Sequence, residues 1–267
     1  MNILLTNDDG IGSEGIAVLS RVFSREHSIY IVAPKSNRSG ASCQMNCAVP
    51  LELCTADEAA FLCKAAYALD GSPVDCVLSA LKGNYIPVKI DAVISGINHG
   101  PNIGTDIIYS GTCGGARHAS LSGIPGIALS VDSGAREKSD AGSSLYFEQA
   151  AEFALKNLGT LVSLCGTAVR LDSRHTYFSR FVNVNMPAMS AYRGARITVP
   201  CIRRYWEAVL VAQECGRQYS RTEGDDVLSF GGSGTDAAAT ESGCVSVSVI
   251  QAEPSAAEAG CAADWAV

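Results

Sequence analysis

Two adjacent carboxylates near the start of the chain are the first residues whose types could do chemistry. Asp8 and Asp9 follow an apolar stretch, Ile3-Leu4-Leu5, that is typical of a buried strand. They precede Gly10 and then Ser13-Glu14-Gly15, which is typical of a helix start. Open α/β sheets bind ligands outside the carboxyl ends of their strands. The pair therefore lies at a potential ligand site, although Asp-Asp-Gly is also an ordinary turn sequence.

Three further polar loops follow predicted elements at Asn37 to Gly40, Asn98 to Gly104 and Tyr109 to Gly115. In a doubly wound sheet these loops converge with Asp8-Asp9 on one crevice. Two carboxylates, a serine hydroxyl and an asparagine amide would form an all-oxygen site of the kind that Mg²⁺ or Mn²⁺ prefers. A nearby His-x-x-x-His pair or cysteine ligand is absent from the sequence, which argues against zinc.

The segment Ser110-Gly111-Thr112 opens a predicted helix and is suited to an anion. A helix N-terminus presents N–H groups without helical partners, and glycines let the backbone approach a ligand closely. Ser110 and Thr112 add two hydroxyl donors. Serine and threonine are also ordinary helix caps, so the segment alone is a weak signal. Beside a cation site it predicts a phosphate site.

The elements that must position these loops indicate an α/β fold with a parallel sheet, because strands alternate with helices. A parallel-sheet core is predicted over residues 1–190, a β-rich arm on the core or a partner subunit over 191–250, and a loose tail over 251–267. Strands are predicted at 3–5, 28–33, 49–53, 67–69, 91–95, 126–130, 181–185, 195–199, 207–212 and 245–250. Helices are predicted from Ser13, from Ser72 with Pro73 at the first position, from about Thr112 to Ser122, and from Ser143 to Leu164, with a cap at Thr235-Asp236. Residues 96–104 are too rich in Gly, Pro and Asn to predict regular structure.

Composition narrows the functional classes. The chain has 267 residues, of which 47% are hydrophobic, enough for a substantial core. A formal net charge of −7 argues against non-specific binding to nucleic acid or to anionic membranes. Eleven cysteines without a Cys-x-x-Cys pair, and no secretory signal, favour a reducing compartment. The sequence has no apolar run of the ~20 residues that a membrane span needs.

The chain resembles the SurE family of stationary-phase survival proteins in motifs that occur in the same order over nearly its whole length. The motifs are Asn7-Asp8-Asp9-Gly10, Asn37-Arg38-Ser39-Gly40-Ala41-Ser42, Gly71-x-Pro73-x-Asp75-Cys76-Val77, Ser95-Gly96-Ile97-Asn98-x-Gly100-x-Asn102-x-Gly104, Tyr109-Ser110-Gly111-Thr112, Asn183-Val184-Asn185-x-Pro187 and Gly234-Thr235-Asp236. The resemblance implies a Rossmann-like core, a C-terminal arm that forms homodimers or homotetramers, and a cytoplasmic, divalent-metal-dependent phosphatase. Its expected substrates are nucleoside 5′- and 3′-monophosphates, and short polyphosphate in some members.

The resemblance also implies roles for individual residues. One divalent cation, Mg²⁺ or Mn²⁺, is expected on Asp8, Asp9, Ser39 and Asn98. The residues expected to bind the phosphate are Ser39, Gly40, Asn98, Ser110, Gly111 and Thr112. The chain departs from the family pattern at Arg117-His118-Ala119 and at His99, which bears on substrate preference and not on the ligands.

The mechanism predicted from these residues is hydrolysis by metal-activated water, with Asp8 and Asp9 as the catalytic carboxylates. The cation would bind phosphate and water together and lower the pKa of the water. Of the two carboxylates, Asp8 is the better candidate to orient the water. His99 and His118 lie near the crevice in sequence, but a solvated loop or helix-surface position is the simpler interpretation of each.

Three other interpretations remain open. Residues 10–15 match the Gly-x-Gly-x-x-Gly dinucleotide fingerprint, although the preceding aspartates would repel a pyrophosphate. Asp8 could instead form an aspartyl-phosphate, although such enzymes commonly carry Asp-x-Asp. A metal-stabilised nucleotide-binding or regulatory protein without turnover would use the same ligands. Tyr109, Tyr205 and Trp206 are able to stack on a base, but core or subunit packing is the simpler role for each.

Overall fold

The computed structural model describes residues 1–132, 143–205, 208–214, 217–223 and 227–254. The strands are β1 (Asn2–Thr6), β2 (Ser28–Pro34), β3 (Leu53–Thr55), β4 (Ala65–Leu69), β5 (Ala92–His99), β6 (Gly126–Asp132), β7 (Val169–Arg170), β8 (Thr176–Tyr177), β9 (Arg180–Pro187), β10 (Ala195–Thr198), β11 (Ile202–Tyr205), β12 (Ala208–Glu214), β13 (Arg217–Glu223), β14 (Val227–Phe230) and β15 (Val245–Gln251). The α-helices are α1 (Glu14–Phe23), α2 (Glu58–Phe61), α3 (Pro73–Lys82), α4 (Gly111–Leu121), α5 (Ser143–Lys156), α6 (Leu158–Leu164) and α7 (Asp236–Glu241), and a 3₁₀ helix spans Gly104–Ile108.

Nine of these strands form one mostly parallel sheet in the order β10-β15-β9-β6-β5-β1-β2-β4-β3. β1 pairs in parallel with β2 on one side and with β5 on the other. The sheet continues through β2 and β4 on one side of β1 and through β5, β6 and β9 on the other. The strand order therefore reverses between β1 and β5. Open sheets bind their ligands at that point. The predicted α/β class and parallel core are confirmed.

Helices cover both faces of the sheet because successive side chains of each strand point to opposite faces. Ile3 and Leu5 lie in the core cluster that includes α1, α5 and α6, whereas Leu4 lies in the cluster that includes α3. Burial on both faces explains why β1 is a continuous apolar run. The sheet is a rigid platform whose strand ends carry the polar loops.

Several element boundaries differ from the predictions. The strand expected at 49–53 begins only at Leu53, and the strand expected at 181–185 extends over Arg180–Pro187. β5 does not end at Ser95 but continues to His99, because Asn98 and His99 still pair with β6 after a register shift. The helix expected over 143–164 is divided into α5 and α6 at Asn157, whose side-chain amide donates to the Phe153 carbonyl.

Part of the predicted arm over 191–250 belongs to the main sheet. β10 and β15 belong to the nine-stranded sheet, where β15 pairs with β9 and β10 pairs with β15. Ser246 and Ser248 of β15 are fully buried beside Thr198, and both of their hydroxyls hydrogen-bond the Thr198 hydroxyl at 2.8 Å. Of the arm strands that the structure describes, the antiparallel pairs β11–β14 and β12–β13 lie outside the main sheet.

Two other expectations fall partly or wholly outside the described part of the chain. The tail predicted over 251–267 is described only to residue 254, and Trp206 is not described. Within the described ranges, none of the helices has the length and apolar character needed to cross a membrane. All nine cysteines in these ranges are free thiols, and five of them are buried.

Candidate active site

The loop between β1 and α1 is shaped by Asn7. The Asn7 side-chain amide donates to the Gly10 carbonyl at 2.9 Å and to the Ser13 hydroxyl, and its carbonyl accepts the Gly10 N–H at 3.2 Å. Gly10 has a φ of +99° and packs tightly on the backbone of Ser36. This side-chain turn projects Asp8 and Asp9 beyond the end of the strand.

Asp8 is buried against the N-terminus of α4. Its side chain is 3% exposed, and its carboxylate accepts a hydrogen bond from the Thr112 hydroxyl. A Cβ on Gly111 would lie only 2.9 Å from the Asp8 Cβ, so glycine is required for this close approach. Burial raises the pKa of Asp8, and the hydrogen bonds from the Thr112 side chain and from backbone groups of Thr112 and Gly111 partly offset that rise.

Asp9 is half-buried on the other side of the same loop. Its carboxylate accepts the His99 backbone N–H at 3.2 Å, which ties the loop to the end of β5. Burial, and secondarily the negative charge of Asp8, raise the pKa of Asp9 to about 6, against the lowering effect of the His99 N–H. Two carboxylates held side by side in this way favour a bound cation, because a cation relieves both the burial and the repulsion.

The loop that carries Ser39 is fixed from both sides of the crevice. The Arg38 N–H donates to the Asp8 carbonyl at 2.6 Å, and the Ser39 N–H donates to the Asn37 side chain at 2.9 Å. Beyond Gly40, Ser42 donates its N–H to the Tyr109 carbonyl at 3.0 Å. The segment therefore bridges the β1 loop and the approach to α4.

Asn98 is presented by the continuation of β5. Its side-chain amide donates to the Gly100 carbonyl at 2.8 Å, and its backbone pairs with Ser130. The next part of this loop is anchored by Asn102, whose carbonyl accepts the amides of Asn183 at 2.8 Å and Asn185 at 3.0 Å. These hydrogen bonds from two asparagines of β9 fix the position of the loop.

The polar loops meet at one cavity of about 380 Å³. Its lining includes Asp8, Ser39, Gly40, Asn98 and Ser110. Asp9, Gly111 and Thr112 do not line this cavity. Asp9 contacts the lining residue His99, and Gly111 and Thr112 contact the lining residue Asp8. Among the described residues that line the cavity, none is a lysine or an arginine.

The donors around this cavity suit a hard divalent cation. They are carboxylate, hydroxyl and amide oxygens, and the two carboxylates have raised pKa values. Within the described ranges the protein has no group of three or more His, Cys, Asp or Glu residues able to hold a metal. A site here therefore depends on the serine and asparagine oxygens together with the aspartates.

The structure gives the two hydroxyls of the α4 segment different functions. The Ser110 hydroxyl caps α4 by accepting the Cys113 N–H at 3.0 Å, and Ser110 lines the cavity. The Thr112 hydroxyl is directed to Asp8. Sequence reasoning treated both as phosphate donors, because it could not show that Thr112 faces the strand end and not the cavity.

The two histidines considered from the sequence lie in different surroundings. His99 is exposed, and its ring contacts the Phe147 ring edge-on with centroids 6.0 Å apart. His118 is half-buried on α4 and lines a second cavity of about 780 Å³, and burial lowers its pKa. Thus His118 is a partly exposed residue of helix α4 and does not line the cavity that holds Asp8.

Sequence reasoning missed the roles of residues that anchor the site. From the sequence, Asn183 and Asn185 were noted only as parts of a motif, and Asp236 only as part of a motif and of a helix cap. Asp236 is fully buried and accepts the Gly104 N–H at 2.7 Å and the Cys201 N–H at 2.9 Å. The sequence did contain a signal for the anchoring role of Asn183 and Asn185, because they are polar residues inside an otherwise apolar strand. Buried polar groups require hydrogen-bond partners.

Comparison with known proteins identifies close similarities. A family model described as "Survival protein SurE" matches residues 3–207. A 5′-nucleotidase SurE from Rubrobacter xylanophilus is 35% identical over 257 residues, covering 94% of this chain and 91% of that protein. Another, from Clostridium beijerinckii, is 45% identical over 132 residues, about half of either chain. The crystal structure of the SurE protein from Aquifex aeolicus has a TM-score of 0.73 and 28% identity, covering 96% of this chain and 95% of that one.

Proposed function

The chain belongs to the SurE family, and on that premise we propose that it is a 5′-nucleotidase, which hydrolyses nucleoside 5′-monophosphates to nucleoside and phosphate. The curated relatives named above carry that activity in their names. The observation that carries the proposal is the contact between Asp8 and the first turn of α4, where Thr112 donates to the carboxylate. It joins a paired-carboxylate loop to a helix N-terminus, the two halves of a metal-assisted phosphate site.

We also propose that Asp8, Asp9, Ser39 and Asn98 hold one Mg²⁺ or Mn²⁺ ion, and that 3′-monophosphates are substrates too. The support is the set of oxygen donors at one cavity and the repulsion between two carboxylates that have no lysine or arginine beside them in the described lining. When bound, such an ion stabilises the negative charge of the phosphate oxygens and makes water more acidic.

The chain's own residues have separate tasks in this proposal. Ser110, which lines the cavity, and Gly111 bind the phosphate at the N-terminus of α4, where the positive end of the helix dipole favours an anion. Asp8, held by Thr112, orients the attacking water. Water attacks the phosphorus atom opposite the ester oxygen, the phosphorus–oxygen ester bond breaks, and the nucleoside oxygen leaves and takes up a proton.

The decisive experiment measures phosphate release from a panel of nucleoside 5′- and 3′-monophosphates. Protein stripped with EDTA is assayed before and after Mg²⁺ or Mn²⁺ is restored. We expect release only with metal, and a loss of about 100-fold or more in Asp9→Asn, because this removes a carboxylate of the site. Asp172→Asn is the matched control, since Asp172 is an exposed aspartate remote from the cavity.

Other outcomes distinguish the competing mechanisms. Metal-dependent thermal stabilisation without release of phosphate from any substrate would indicate a binding or regulatory protein instead. Covalent label from the substrate on acid-quenched protein would indicate an aspartyl-phosphate on Asp8, in place of direct attack by water. Release that survives EDTA and Asp9→Asn would reject the proposed metal site.

We further propose that the antiparallel pairs β11–β14 and β12–β13 form the interface of a homodimer or homotetramer. Supporting this, their large apolar side chains are exposed, including Val209, Val211, Leu228 and Phe230, and contiguous exposed apolar surface is typical of association sites. A cytoplasmic location, without nucleic-acid or membrane partners, stays a prediction from the sequence.

A further inference from the structure

Two tyrosines lie at the edge of the active-site cavity, beyond the groups assigned to metal and phosphate. Tyr109 directly precedes Ser110, the cap of α4, and its side chain is 65% exposed. Tyr205 is the last residue of β11 and is 39% exposed. Both line the cavity that contains Asp8, Ser39 and Asn98. Exposed aromatic rings beside a polar cavity need an explanation other than core packing.

Tyr205 is held in place by a polar cluster. Its hydroxyl donates to the Asp106 carboxylate, which also accepts Arg203 Nη1 at 2.5 Å. The Arg203 guanidinium lies 5.5 Å from the centroid of the Tyr205 ring. The side chains of Arg203 and Asp106 are only 14% and 15% exposed, so this ion pair is largely protected from solvent.

The backbone of β11 is fixed to the same 3₁₀ helix. Thr105 Oγ1 donates to the Arg203 carbonyl at 3.0 Å and accepts the Arg203 N–H at 3.2 Å. Burial and the Asp106 carboxylate raise the pKa of Tyr205 to about 12, so its hydroxyl keeps its proton and remains a donor. The ring is thus positioned before any ligand arrives, which lowers the entropic cost of binding.

We propose that Tyr109 and Tyr205 form the subsite for the base of the nucleotide substrate, an inference that rests on the proposed function. The phosphate end of the cavity is at Ser110, one residue from Tyr109, so a bound nucleotide extends from α4 toward the two rings. Every base has a π-face, so stacking accepts purines and pyrimidines without reading their donors and acceptors. The subsite therefore selects nucleotides over phosphate esters without an aromatic group.

The test compares AMP with glycerol 2-phosphate, a phosphomonoester without a ring, in steady-state assays. The quantity measured is kcat/KM for AMP divided by kcat/KM for glycerol 2-phosphate. We expect this ratio to fall about tenfold in Tyr205→Ala and in Tyr109→Ala, mostly through a higher KM for AMP, because one stacking surface is lost. Tyr205→Phe, which keeps the ring, is expected to recover most of the ratio.

Tyr177→Ala is the matched control, because Tyr177 is a partly exposed tyrosine outside the cavity lining. An unchanged ratio in both Tyr205→Ala and Tyr109→Ala would overturn the base subsite while leaving the proposed nucleotidase intact. An equal loss for both substrates would also overturn it, since that indicates structural damage. A parent enzyme that hydrolyses neither substrate would instead reject the proposed function, and the subsite with it.

Discussion

Buried aspartates occur in two regions of this protein, and their surroundings differ. Asp236, at the start of α7, accepts the backbone N–H groups of Gly104, Cys201 and Ala237 at 2.7–2.9 Å. Asp8 and Asp9, at the end of β1, face each other's charge, and both have raised pKa values. The first region surrounds one carboxylate with donors, whereas the second, despite its donors, places two negative charges close together.

Asp75 on α3 belongs with Asp236 in this comparison. It is 3% exposed and accepts the Ser72 N–H at 2.8 Å, the Asn46 N–H at 2.9 Å and the Asn46 amide at 2.6 Å. Such carboxylates hold loops together, because hydrogen bonds to a buried charge compensate its desolvation. A buried carboxylate with a raised pKa is instead a candidate functional group. Substitutions to asparagine should separate the two classes.

The largest expected effect on stability is that of Asp236→Asn. The asparagine NH₂ group cannot accept a hydrogen bond, so at least one of the N–H groups of Gly104, Cys201 and Ala237 loses its partner. We expect the free energy of unfolding to fall by about 2–3 kcal/mol, measured by urea denaturation. The control Asp172→Asn is expected to lower it by a smaller amount, because the hydrogen bonds of Asp172 to Arg174 and His175 are exposed to solvent. An unchanged free energy of unfolding in Asp236→Asn would show that the buried network does not stabilise the fold.

Thr112→Val should have an intermediate effect, and on activity more than on stability. Valine has nearly the shape of threonine but removes the hydroxyl that donates to Asp8. We expect kcat/KM for a nucleoside monophosphate to fall about tenfold, as is typical for groups that orient metal ligands. Thr112→Ser, which keeps the hydroxyl, should recover most of the activity. Full activity in Thr112→Val would mean that Asp8 needs no positioning by α4.

Asp9→Asn should have the smallest effect on stability, despite its expected loss of activity. Its raised pKa means that the fold disfavours the charged form, and asparagine removes that charge while its carbonyl can still accept the His99 N–H. In metal-free protein near neutral pH, we expect the free energy of unfolding to change by less than about 0.5 kcal/mol or to rise slightly. A loss comparable with that of Asp236→Asn would place Asp9 among the structural carboxylates.

Sequence patterns predicted most of the elements that carry the site but misplaced some of their ends. The capping of α3 by Ser72 and of α7 by Thr235 was predicted correctly, because caps are local chemistry. β5 was predicted too short, since Gly96 and Asn98 are poor strand formers, and the strand resumes at Asn98 only because Asn98 and His99 pair with β6. The predicted arm includes β10 and β15, which belong to the main sheet, since the pairing of β15 with β9 joins segments that are far apart in the chain.

The candidate site residues were identified from sequence because their types and their positions after predicted strands are local properties. Asp8, Ser39, Gly40, Asn98 and Ser110 do line one cavity. Local sequence did not predict the direction of the Thr112 hydroxyl, the partial burial of His118 or the position of Tyr205 beside the cavity. Each depends on contacts between segments far apart in the chain, as Tyr205 does through Asp106.

By itself, the sequence determined the fold class, the family and the set of oxygen donors, because periodicity, capping and motif order are encoded in neighbouring residues. Only the tertiary structure decided which carboxylates hold loops together through several donors and which have raised pKa values. That distinction depends on donors brought by other elements, such as Gly104 and Cys201 for Asp236. The carboxylates that this packing leaves with raised pKa values, Asp8 and Asp9, are those that we propose to hold the cation.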